Sequence, residues 1–194
     1  MNKLIGKSAR IGSLSLDAWS EMYIAVRWIV TEELPEFHYQ TKPHHSSLAQ
    51  LALIGSCQLM EVMFFSSVRK WLSDNQEVSY GIQEGYSKVG FRTALNEWPV
   101  ILFGRKFEFD TEPFRSAEKL IKRRNSTVHK TSSLTSLEMA RSALYTGVLA
   151  SREMYGYFYS EKEFRYEKVL QKYPLPDSKL FYDVELIDVP WRKD

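Results

Sequence analysis

From Leu48 to Val68 the chain is apolar on nearly every side of a helix, interrupted by Gln50, Gln58 and Glu61. A helix with apolar groups all round its circumference must be enclosed, either by other helices or by lipid. A membrane span needs about 20 predominantly apolar residues with few or no charges, so the interruptions favour the centre of a helical bundle. Ser47, followed three residues later by Gln50, forms a capping box that opens this helix, and Ser73, Asp74 and Asn75 close it after about Leu72.

The rest of the chain repeats the helical pattern. Ser15 can cap a helix over 16–34, where Trp19, Tyr23, Val26 and Val30 recur at helical spacing until Pro35. Residues 87–98 read as a third helix, ended or kinked at Pro99, with 104–110 a loop. Thr111 can cap a helix over 112–129. After a turn at 130–133, a second capping box, Thr135 to Glu138, opens a helix to about Tyr157, giving an antiparallel hairpin.

A third box, Ser160 to Glu163, opens a short helix that Pro174 ends. Beyond it the chain reads as an extended tail, in which 180–189 forms a strand or lies along the bundle. The expected fold is all-α: an antiparallel helical bundle with an extended C-terminal tail, one domain over 1–194 with a loose arm at 1–15.

Hydrophobic residues make up 44% of the chain and aromatics 14%, enough for a sizeable core. The formal charge of +2 is too small to announce a nucleic-acid binder, so any such function rests on local clustering. Cys57 is the sole cysteine, which excludes an intramolecular disulfide and a cysteine-based zinc site and points to a reducing compartment, the cytoplasm. Lys3, Lys7 and Arg10 are not followed by the continuous apolar stretch of a secretory signal. Walker, nucleophile-elbow and zinc-finger patterns are absent from the sequence.

On an ideal helix over 112–129, Phe114, Ala117, Ile121, Arg124 and Val128 share one face, which puts Arg124 on the apolar stripe. A guanidinium there needs a carboxylate, a bound phosphate or a water-filled cleft, because an unpaired buried charge costs several kcal/mol or more. Glu61, the only acid between Glu36 and Asp74, is the expected partner. The alternative is that Glu61 faces solvent on a polar strip with Gln50 and Gln58. His129 lies about 140° round the helix from Arg124 and roughly 7.5 Å further on, so the two converge only if the last turn loosens or a two-fold dimer pairs two chains. Asn125 precedes His129 by four residues, the spacing at which it can orient the imidazole.

The segment Arg124-Asn125-Ser126-Thr127-Val128-His129 resembles the Arg-(polar)-x-x-x-His signature of HEPN domains, and its place near the junction of two antiparallel helices matches as well. The resemblance covers roughly 47–157. It implies an all-helical bundle, with Glu61 as the acid on the preceding long helix, and metal-independent RNA cleavage needing no cofactor, in which Arg124, His129 and Asn125 form the site. It also implies a dimer, a toxin or defence role, and an antitoxin or other regulatory protein as partner. Toxin members modified by a partner nucleotidyltransferase carry Tyr two residues after the His, where this chain has Thr131.

The residue types suit such chemistry: an imidazole passes protons near neutral pH, and a guanidinium grips a phosphate and stabilises the charge that grows on it. Lys119, Lys122, Arg123 and Lys130 surround the motif and are candidate RNA contacts, although cations in a last helical turn also complement the helix dipole. Two other readings remain open: a HEPN module that binds RNA, a nucleotide or a protein without cleavage, and a structural scaffold. His38, His44 and His45 lack an acid or cysteine at ligand spacing and read as turn histidines. The aromatics Tyr155, Tyr157, Phe158, Tyr159, Phe164 and Tyr166 read as core and interface packing.

Overall fold

The computed structural model describes residues 17–31, 47–75, 89–129, 135–159 and 163–182. Its elements are α1 (Ala18–Thr31), α2 (Ser47–Asp74), α3 (Phe91–Phe103), α4 (Phe114–His129), α5 (Leu137–Phe158) and α6 (Glu167–Lys172), with no strand among the described residues. The all-α bundle expected from the sequence is the fold.

α2 is its axis. The helix is long and apolar enough to cross a membrane by length and composition, yet 61% of its most apolar window is buried within the bundle. It packs most extensively on α5, then α1, then α4. The two backbones approach closely at Gly147 of α5, where an added Cβ would lie 2.5 Å from the Ser56 carbonyl oxygen. Only a glycine lets two backbones come this near.

α1 belongs to the same core. Trp19 is fully buried, stacks on Tyr23 and Tyr166 with ring centroids 5.4 Å and 4.4 Å away, and donates from Nε1 to Ser151 Oγ at 3.3 Å. Arg141 Nε donates to the Val30 carbonyl at 2.8 Å, satisfying an acceptor in the last turn of α1. The tail is stitched to this layer. Tyr23 Oη donates to the Tyr173 carbonyl at 2.6 Å, Arg27 Nε to the Pro174 carbonyl at 2.7 Å, and the Phe181 N–H to Thr146 Oγ1 at 2.7 Å. Residues 180–182 therefore lie along the bundle, while 183–189 fall outside the described residues, as does the arm at 1–15.

Several boundaries differ from the sequence reading. α3 starts at Phe91, with Val89 and Gly90 non-helical ahead of it, and runs through Pro99 to Phe103. Proline removes one helix hydrogen bond and costs about 3 kcal/mol in a helix interior. Here Trp98 and Pro99 are buried and Phe103 meets Trp71 and Phe158 edge-on, so packing holds the last turn until Gly104 ends it at φ 69°. In the loop that follows, Phe107 is buried against Phe64, Phe114 and Tyr157.

Capping also differs. Thr111 Oγ1 donates to the Glu108 carbonyl; the Glu112 carboxylate instead accepts from the Ser116 N–H at 3.1 Å, and α4 begins at Phe114. Ser136 caps α5 by accepting from the Met139 N–H at 3.1 Å, one residue later than the predicted Thr135, which is buried. α6 starts at Glu167, because Phe164 and Tyr166 bury their rings in the preceding turn. Ser15 and Ser160 lie outside the described residues.

Candidate functional site

α4 carries the motif along the edge of α2. Phe114, Ala117 and Ile121 are buried against the bundle, and Arg124, next on that face, is half-buried, its side chain 27% exposed. The predicted contact forms: Arg124 Nη2 donates to Glu61 Oε1, and the Glu61 side chain is 16% exposed. Val128, expected on the same stripe, is 55% exposed, so the apolar face ends at Arg124. The guanidinium marks where α4 stops being a core helix.

Glu61 lies in a balance of two effects. Burial raises its carboxyl above the ordinary 4.5, and the Arg124 charge and hydrogen bond oppose that rise. Cys57, one turn earlier on α2 and fully buried, also feels the pair; burial pushes its thiol up to about 12 against the lowering effect of Arg124. This neighbour escaped the sequence reading, although its four-residue spacing from Glu61 placed it on the same helical face.

Glu61, unlike Arg124, lines a cleft of about 440 Å³, together with Gln58, Val62, Phe65, Ser66 and Arg69 of α2 and Val89 ahead of α3. Its size falls within the usual range for small-ligand sites, roughly 300–1,000 Å³. Gln58 thus faces a cleft shared with Glu61. Glu61 pairs with Arg124 and is mostly buried, so the alternative in which it faces solvent with Gln50 and Gln58 does not hold.

The other predicted residues are spread around α4. Asn125 is exposed and Arg123 half-buried. Lys122 pairs with Glu118 at 3.2 Å, and Glu118 also accepts from Arg92 at 2.9 Å, so Lys122 belongs to a surface charge network. Lys119 is exposed. His129 is the last residue of α4; its side chain and Lys130 lie outside the described residues, as do His38, His44 and His45. Among the described residues no three His, Cys, Asp or Glu side chains gather as metal ligands. Of the aromatic run, Tyr155, Phe158, Phe164 and Tyr166 are buried and Tyr157 and Tyr159 half-buried, which is core packing.

No protein-family model, curated protein or solved structure matches this chain.

Proposed function

We propose that the chain is a metal-independent endoribonuclease of the HEPN type, acting as a homodimer on RNA. The observation that carries this reading is a half-buried arginine on the helix whose last residue is His129, ion-paired to a glutamate that lines an open cleft. A guanidinium has five N–H donors, so one gripped by a carboxylate can still hold a phosphate in fixed orientation.

In the proposed reaction an RNA 2′-hydroxyl attacks the neighbouring phosphorus, and the bond to the leaving 5′-oxygen breaks. The products are a 2′,3′-cyclic phosphate and a 5′-hydroxyl. His129 takes the proton from the attacking hydroxyl or supplies one to the leaving oxygen; Arg124 stabilises the charge on the phosphoryl oxygens; Asn125 orients the imidazole. A two-fold pair of chains would bring two such histidines to one groove, one for each proton.

A structural reading is favoured by the same ion pair, since Glu61 satisfies Arg124 without any ligand. The two separate in one assay. Mixed RNA is incubated in chelator with wild type, His129→Ala and Arg124→Lys, each verified as folded by circular dichroism. The ribonuclease reading expects each variant to be slowed by about 100-fold or more. Equal cleavage by all three, or intact RNA throughout, overturns the catalytic reading.

A further inference from the structure

The cleft beside Glu61 does not stand alone. Ser66 lines it and also lines a second cavity of about 190 Å³, formed with Lys70 of α2, Tyr155 and Tyr159 of α5, and Arg165 ahead of α6. The two hollows share Ser66 and succeed one another across the exposed side of α2, round which Lys70 lies about 180° from Glu61. From Glu61 to Lys70 the helix advances nine residues, about 13.5 Å at 1.5 Å each. That is room for a few nucleotides of single strand.

The chemistry along this path changes in a consistent order. Near Glu61 it offers an amide, Gln58, whose donors and acceptor suit a base edge, beside the core-packed ring of Phe65. Further along, Arg69 is exposed, then Lys70 and Arg165 share the second hollow. Lys70 pairs with Asp74 at 3.1 Å, but both side chains are 54% exposed, and such surface pairs are worth little, so the ammonium can exchange its partner for a phosphate. The Tyr159 hydroxyl donates to the Ser67 carbonyl at 3.3 Å, closing the floor of the hollow with a neutral group.

We propose that these joined hollows form a track for single-stranded RNA, leading away from the Arg124–Glu61 pair, in which Arg69, Lys70 and Arg165 hold backbone phosphates. The track rests on the RNA reading of the site and adds contacts remote from the Arg-x-x-x-x-His motif. It predicts that strand binding depends on cations of α2 and the α5–α6 turn, and not only on those of α4.

The test is fluorescence anisotropy with a labelled short single-stranded RNA over a salt series. The parent is full-length His129→Ala, so that the strand stays intact. Adding Arg69→Ala, Lys70→Ala and Arg165→Ala together should weaken binding roughly 30-fold or more and flatten the salt dependence by about two, since each neutralised phosphate contributes about 0.7 to the slope. Lys106→Ala, on a separate cavity, should stay within about twofold of the parent. A triple variant that stays folded and binds like the parent with unchanged slope overturns the track, and so does a parent that binds no single-stranded RNA. Track-dependent binding by a wild type that cleaves nothing refutes the catalytic reading alone; cleavage with unaltered triple-variant binding refutes the track alone.

Discussion

The two sides of α2 are built on opposite principles. Towards α5 the backbones touch at Gly147 and Ser56, and the surrounding side chains are buried and apolar or carry small internally bonded hydroxyls. Towards α4 the buried contacts of Ala117 and Ile121 give way to a partly exposed ion pair, whose Glu61 lines a cleft. One side resembles a crystal interior, where a single methyl is felt; the other tolerates charge because solvent and a partner share its cost. Stability and the candidate chemistry are thus segregated on one helix.

Gly147→Ala is the hardest blow to the tight side. Its Cβ would meet backbone atoms of Ser56, which cannot move aside as a side chain can, so a loss of about 2–4 kcal/mol is expected in urea unfolding. Gly55→Ala gives an internal comparison: its Cβ would meet the Val26 Cγ2 and Met22 Sδ side-chain atoms, and it should cost clearly less. Equal costs at the two glycines would remove the distinction between the interfaces.

On the open side Glu61→Gln should change stability near pH 7 by no more than about 1 kcal/mol, because it removes a carboxylate that burial disfavours while still giving Arg124 an amide acceptor. It should also alter the pH dependence. Burial raises the Glu61 carboxyl in the folded chain, so the folded state holds that proton more tightly than the unfolded state. Its contribution is fully present below the unfolded pKa, near 4.5, and is lost as pH rises through the higher folded value. Unfolding curves from pH 4 to 7 should show that decline in wild type and lack it in Glu61→Gln; parallel curves would contradict the burial of Glu61.

Cys57 reports on the same boundary. With its thiol buried and pushed up to about 12, it should resist alkylation at pH 8 in the native protein and react fully once unfolded. Rapid native labelling would mean that the Arg124–Glu61 edge opens far more than its packing suggests. The smallest effect belongs to Val128→Ser: at 55% exposure it should change stability by no more than about 0.5 kcal/mol.

Much of this contrast could be read from the chain. The apolar circumference of α2, the apolar stripe of α4 and the isolation of Glu61 sufficed to predict the core helix and the ion pair, because periodicity and the cost of an unpaired charge are local rules. What escaped was set by contacts between distant segments. Pro99 sits within a helix because Phe103 packs beyond it, Val128 is exposed because the stripe ends at Arg124, and Phe107 anchors a segment that reads only as loop. The caps slipped for a simpler reason: Thr135 and Ser136 are both good caps, and burial of Thr135 selects its neighbour.

Analysis of the RNA ends produced in chelator tests the proposed chemistry most directly. The account predicts 2′,3′-cyclic phosphate and 5′-hydroxyl ends, formed by wild type and lost with His129→Ala and Arg124→Ala. Fragments ending in a 3′-hydroxyl, or cyclic ends that persist undiminished in both variants, would contradict it.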